Sequence, residues 1–196
     1  MKNAIIIFVR NPELGKVKTR LAASVGDQAA VDIYKQLLLH TMQVADESSA
    51  DKFVFYHEQI MQNDSWNKNG FFKKLQTGSD LGEKMKNAFS AVFTEGYSKV
   101  IIIGSDCLQL NCAIINEAFA GLEQNDTVIG PAKDGGYYLL GMKIMLPFLF
   151  DHKAWSTATV FKDTMFNMRQ HNLSTTILEV LTDVDTEADW LESKKF

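Results

Sequence analysis

Two stretches of this sequence are apolar without alternation: residues 4–9 (AIIIFV) and the run VIII inside residues 99–104 (KVIIIG). A strand with one wet face alternates polar and apolar residues, whereas a strand covered on both faces has no need to. Both runs therefore require a sheet with helices packed on either side. The segments around them take turns between helical and extended patterns. Asp27 stands where a cap would open a helix to about Glu47, with Ala30, Ile33, Tyr34, Leu37, Leu38 and Val44 at helical spacing. Residues 52–56 and 71–76 read as strands. Asp80 and Glu83 have capping-box spacing and predict a helix to about Glu95. Asn111 predicts a cap for a helix through Leu122. Residues 127–130 and 137–142 are closely spaced strands. A helix follows from Thr157 or Thr159 to about Gln170. Residues 175–180 form a last strand, and a short helix starts at Thr186. Such alternation predicts an α/β fold with a mostly parallel sheet and one antiparallel excursion at residues 127–142.

The 196 residues, 46% hydrophobic and 22% charged, suit a single soluble domain over residues 1–196. A net charge of −4 argues against a nucleic-acid binder. No apolar run approaches the roughly 18 residues of a membrane span. The N-terminal apolar stretch is cut short by Arg10, which argues against a signal peptide. Two cysteines, Cys107 and Cys112, match neither a disulfide framework nor a zinc spacing. The expected location is the cytoplasm.

Four segments carry chemistry. After the first buried run come Arg10, Asn11, Pro12 and Gly15, a loop by composition. In and just beyond it, Arg10, Lys16, Lys18 and Arg20 face a single acid, Glu13, although the whole chain is acidic. A basic loop at the C-terminal end of the first strand of an α/β fold is where a phosphate is held. This loop lacks the glycine pattern of a P-loop and that of GxGxxG. The backbone at Gly15 with Lys18 and Arg20 suits a di- or triphosphate, and a solvated basic loop explains the same residues equally well. The second segment, Gly104-Ser105-Asp106-Cys107, follows the most apolar strand. An aspartate there suits Mg²⁺ or Mn²⁺, which take oxygen ligands and bridge to phosphates; a turn-capping aspartate is the plain alternative. Cys107 as a nucleophile is weaker than Cys107 as a buried side chain. In the third, Gly130 to Tyr137 (GPAKDGGY), paired glycines let the backbone approach a ligand and Asp134 is the polar group on offer. The same Asp-Gly step is also a hairpin signal. The fourth, Asp183-Val184-Asp185, aims two carboxylates the same way if extended, and Asp185 also suits a cap for the last helix. Trp155 either stacks on a substrate ring or staples the helix that follows.

In this order the motifs are PxxGxxKTRL, QxGSDLGEKM, GSDC, GPAxDGGYYLLG, WST and DVDTxxD. Together, over Ile5 to Asp189, they resemble the bacterial radical-SAM/selenodomain-associated glycosyltransferases of the nucleotide-diphospho-sugar transferase (GT-A) superfamily. The resemblance implies a three-layer α/β/α sandwich with a Rossmann-like sheet and a divalent metal, Mg or Mn. It implies that Arg10, Gly15, Lys18, Arg20, Asp80, Gly104 and Ser105 bind nucleotide and phosphate. Asp106 and Asp185 would hold the metal, and Asp106 and Asp134 would be catalytic. Gly135, Gly136, Tyr137 and Trp155 would line the acceptor side. Leu108 stands where the family carries proline, and the first loop lacks the tandem glycines of nucleotidyltransferases. The implied substrates are a nucleotide-sugar or nucleoside triphosphate and a small acceptor. Three functions follow as expectations: a metal-dependent glycosyltransferase, a nucleotidyltransferase like the molybdenum-cofactor or phospholactate guanylyltransferases, and a non-catalytic nucleotide-binding protein. Base, sugar, acceptor and oligomeric state are not specified by the sequence.

Overall fold

The computed structural model describes residues 2–194. Seven strands form one sheet: β1 (Asn3–Val9), β2 (Asp51–Tyr56), β3 (Phe71–Leu75), β4 (Lys99–Ile103), β5 (Thr127–Pro131), β6 (Tyr137–Met142) and β7 (Thr175–Ile177). Their order is β3-β2-β1-β4-β6-β5-β7. β6 pairs antiparallel with both β4 and β5, and the other pairs are parallel. Six strands thus point one way and β6 alone is reversed. The excursion at residues 127–142 is this reversed strand.

The unalternating runs behave as their composition requires. In β1, Ile5 and Ile7 enter one core, whereas Ala4 and Ile6 enter the other. In β4, Ile101 and Ile103 oppose Val100 and Ile102 in the same manner. The first core is covered by α1 (Thr19–Val25), α2 (Asp27–Asp46), α4 (Cys112–Gln124) and α6 (Glu187–Ser193) through Leu21, Leu37, Ile115 and Trp190. The second is covered by α3 (Leu81–Thr94) and α5 (Val160–Gln170) through Phe89 and Met168. The result is the three-layer sandwich the sequence predicts.

Caps fix several boundaries. Asp80, Asn111 and Thr186 each accept a backbone N–H from the first turn of α3, α4 and α6. Two details differ from expectation. Asp27 is not a cap: α2 starts at Asp27 after an uncapped Gly26, because the preceding α1 ends there. Glu83 does not close a box onto Asp80; its carboxylate accepts from the Ser79 N–H and hydroxyl instead. α1 has no counterpart in the sequence reading, and β7 stops at Ile177 rather than Val180. No helix among the described residues is long and apolar enough to cross a membrane.

Candidate active site at the strand C-termini

Because six strands are co-directional, the loops after β1, β4, β5 and β7 emerge on one edge of the sheet. The chain leaves β1 toward β2 on one side, and β4 lies on the other. That divergence opens the crevice where ligands bind in open α/β sheets. Lys18 follows β1, Asp106 follows β4, Asp134 follows β5, and Asp183 and Asp185 follow β7. Topology alone gathers residues far apart in sequence.

The centre is an ion triad. Lys18 Nζ donates to Asp106 Oδ2 and to Asp185 Oδ1, each at 2.9 Å. The Lys18 side chain is only 7% exposed, whereas the two carboxylates are 37% and 39% exposed. Burial, the largest influence, pulls the lysine pKa down, but the two carboxylates outweigh it and raise it above the ordinary range. Lys18 also has left-handed backbone, φ 47° and ψ 46°, a conformation few residues other than glycine adopt. Arg20 lies over Asp185 at 3.7 Å with its side chain 77% exposed.

Backbone hydrogen bonds hold the loops that carry the carboxylates independently of the lysine. Val184 N–H donates to the Asp106 carbonyl at 2.8 Å, joining the loops after β4 and β7. Asp185 N–H donates to Asp189 Oδ2, within the capping box at the start of α6. Behind them lies Asp183, whose Oδ1 is buried with no hydrogen-bond partner among the described residues. Burial and the nearby Asp106 push its pKa up to about 8. Asp183 and Asp185 therefore occupy different environments: one carboxyl is buried, the other opens to solvent.

The Asp134 turn is tied to the same assembly. Lys133 N–H donates to the Leu181 carbonyl and Leu181 N–H to the Pro131 carbonyl. Asp134 Oδ1 accepts the Gly136 N–H at 2.8 Å, so the segment is a hairpin turn and an exposed carboxylate mount together. Gly135 has φ +91°, and a Cβ there would stand 2.1 Å from the Ala158 carbonyl oxygen. Trp155 packs against Gly82, whose added Cβ would meet the indole at 2.3 Å. Tyr137 donates its hydroxyl to the Met85 sulfur. Gly135, Tyr137 and Trp155 thus join the turn, the start of α5 and the start of α3.

Other expected residues are placed as follows. Gly104 lies under the Asp106 carboxylate, 2.9 Å from an added Cβ to Oδ1. Ser105 is buried with its hydroxyl 3.2 Å from Tyr34 Oη, so its side chain is occupied inside the protein. Arg10 is exposed, and its backbone N–H donates to Tyr34 Oη at 2.8 Å. Gly15 turns the loop at φ 71°, Lys16 pairs with Glu13 and Glu58 at the surface, and Asp80 caps α3. Cys107 is buried and its thiol is pushed up to about 12 by burial, which removes it as a nucleophile.

Sequence reasoning missed three positioning side chains. Tyr34 bridges the loops after β1 and β4. Asn11, 4% exposed, donates to the Gln59 carbonyl and accepts from the Glu58 and Gln59 N–H groups, pinning the basic loop to the end of β2. Asp183 read as the twin of Asp185. A polar side chain beside Pro12 was the one available signal for Asn11; Tyr34 sits within an apolar stripe and gave none.

The donor set fits a divalent metal. Asp106 and Asp185 converge on a point already taken by a cation, and both offer hard oxygen ligands open to solvent. Mg²⁺ and Mn²⁺ sites of this kind use one or two carboxylates and leave the remaining positions to water and phosphate. No cluster of three or more metal-ligating side chains occurs among the described residues.

Comparisons place this architecture. A protein of Desulfovibrio desulfuricans provisionally described as a nucleotide-diphospho-sugar transferase is 35% identical, with a TM-score of 0.89 over 95% of this chain and 84% of that one. Rv0371c of Mycobacterium tuberculosis, solved in complex with manganese, is 12% identical, with a TM-score of 0.61 over 100% and 99%. A 4-diphosphocytidyl-2C-methyl-D-erythritol synthase of Anaerococcus prevotii is 9% identical, with a TM-score of 0.64 over 99% and 95%. These last two share the fold. No curated protein matches the sequence. A family model matches residues 39–157, and with that match the chain belongs to the family described as "uncharacterized protein conserved in bacteria (DUF2064)".

Proposed function

We propose that this protein is a divalent-metal-dependent transferase whose donor is a nucleotide-diphospho-sugar, and that within its family it stands with the radical-SAM/selenodomain-associated members. The observation that carries the proposal is the pair Asp106–Asp185 focused on one cation at the sheet's divergence point. The 35%-identical relative and its description support the donor class. The manganese complex of a protein with the same fold supports the metal.

In this reading Asp106 and Asp185 would hold the metal, whose positive charge would offset the negative charge of the diphosphate leaving group. Lys18, Arg20 and Arg10 supply further cations, and the Gly15 turn offers backbone N–H groups. The acceptor hydroxyl sits against Gly135, Gly136, Tyr137 and Trp155. Asp134 takes its proton as the acceptor oxygen bonds to the anomeric carbon. The bond from that carbon to the diphosphate oxygen breaks, and the electron pair leaves with the diphosphate. Asp80 sets where α3 begins and so shapes the wall for the sugar and base. Gly104 leaves room for the Asp106 carboxylate, and Ser105 with Tyr34 fixes the loop that carries it.

The test is a thermal-shift screen of nucleotide-sugars and nucleoside triphosphates, with and without Mn²⁺, on wild type and Asp106→Asn, followed by product analysis. A ligand that binds only the native state raises its stability by mass action. A metal-dependent shift with one nucleotide-sugar, lost in the variant, with transfer and no pyrophosphate released, supports the proposal. A shift with a triphosphate alone and release of pyrophosphate replaces it with nucleotidyl transfer. Binding that survives Asp106→Asn without turnover replaces it with a binding protein.

A further inference from the structure

Lys18 cannot serve the donor phosphates from where it stands. An ammonium has three N–H donors, and two of them are spent on Asp106 and Asp185. Its side chain is covered, whereas the carboxylates on either side are open to solvent. The ammonium also fills the point that a shared divalent cation would take. From these observations, and resting on the reading of Asp106 and Asp185 as metal ligands, we propose that Lys18 is a resident counter-ion. It holds the place between the two carboxylates in the ligand-free protein. It yields that place to the divalent cation, and is thereby released to the phosphates of the donor.

Three features of the fold support an exchange rather than a permanent bridge. The loops that carry the carboxylates do not depend on the lysine, because the Val184–Asp106 backbone hydrogen bond and the α6 capping box hold them. A preformed pair of negative charges therefore remains when the ammonium moves. The lysine side chain does depend on the carboxylates, which are the hydrogen-bond partners of its ammonium. Loss of the two ion pairs leaves the ammonium with no hydrogen-bond partner among the described residues. Finally, Asp183 lies buried behind the pair with an unpartnered oxygen. Two carboxylates that converge on one point need a cation between them, and a lysine on a flexible four-carbon stem is a cation that can be exchanged. The exchange couples metal to donor: the metal's arrival is what frees the ammonium, and a donor that engages the ammonium favours the metal in return.

The experiment is a titration with Mn²⁺ alone, following free Mn²⁺ by electron paramagnetic resonance, on wild type, Lys18→Met and Asp106→Asn, each checked for folding by circular dichroism. Removal of a competing charge a few ångströms from the metal position is expected to tighten Mn²⁺ binding about tenfold or more in Lys18→Met. Asp106→Asn is expected to abolish it. Equal or weaker binding in Lys18→Met, with loss in Asp106→Asn, overturns the exchange and leaves the metal site standing. No binding in any of the three overturns both. Where Lys18→Met does not fold, a crystal of the wild type soaked in Mn²⁺ decides. Mn²⁺ between Asp106 and Asp185 with Lys18 turned away supports the exchange. Mn²⁺ elsewhere, with Lys18 still bridging the pair, overturns it.

Discussion

Replacement of Gly135 by alanine tests how the acceptor side is built. Gly135 has φ +91°, and an added Cβ would lie 2.1 Å from the Ala158 carbonyl oxygen and 2.8 Å from the Ala158 Cα. Both neighbours are backbone, so neither moves without moving the chain. The glycine is also fixed at both ends: its N–H donates to the Ala132 carbonyl and its carbonyl accepts from the Phe161 N–H. Positive φ costs alanine about 1–2 kcal/mol. Overpacking against a fixed wall adds about 1–3 kcal/mol. For a chain of this size the sum of about 2–5 kcal/mol corresponds to a fall in Tm of roughly 4–20 °C. Gly136 is the internal control. An added Cβ there meets only Asp134 Oδ1, at 3.1 Å, the far end of a side chain, and its φ lies outside the left-handed range. Gly136→Ala should cost under about 1 kcal/mol. Thermal denaturation followed by circular dichroism separates the two. A Gly135→Ala protein melting with the wild type, or a Gly136→Ala protein melting as low as Gly135→Ala, would refute this account of the turn.

Asp183→Asn should raise stability at pH 8 and leave it unchanged near pH 4. The native carboxyl keeps its proton up to about 8 against an ordinary 3.8. The native state therefore binds more protons than the unfolded one between those values, and wild-type stability falls as pH rises through that window. The gain at pH 8 is a few kcal/mol at about 1.36 kcal/mol per unit, measured by urea denaturation in metal-free buffer; an identical gain at both pH values would sink the assignment. Gly104→Ala should turn the Asp106 carboxylate aside at a cost of about 0.5–1.5 kcal/mol and weaken Mn²⁺ binding several-fold, and unchanged binding would show that the carboxylate has room to spare. Asp80→Ala should remove a helix cap worth about 1 kcal/mol, seen as a lower urea midpoint, and no change would mean that α3 does not need its cap.

The legible parts of this fold were those where one local rule decides. β1 and β4 were marked by apolar runs with no alternation, which nothing but a doubly covered strand accommodates. Asp80 and Asn111 were marked by short polar side chains ahead of periodic segments, whereas the cap of α6 is Thr186 and not the Asp185 the sequence offered. That Asp106 and Asp185 meet was only one reading of the sequence beside a turn cap and a helix cap; the structure brings both onto Lys18. α1 was hidden because it has seven residues and buries only Leu21, too little for a periodic signal. The cap misassigned to Asp27 follows from that omission. Asp183 and Asp185 looked alike because alternation gives direction but not depth, and depth here depends on the loop from β4 lying over residue 184. Lys18 and Arg20 looked alike for the same reason, whereas one is buried between carboxylates and the other stands in solvent.

The bond from Lys18 to Asp185 spans 167 positions of the chain, and it has a consequence for how the protein comes into being. On a ribosome the basic loop appears long before its second acidic partner. All seven strands are already synthesised by Ile177, so a nascent chain that has reached this point can lay down its sheet while its site still lacks Asp183 and Asp185. A protease that trims the segment after β7 is expected to remove Asp183 and Asp185 and leave the sheet in place, an outcome that circular dichroism and Mn²⁺ binding on a chain cut after Leu178 would tell apart from global unfolding.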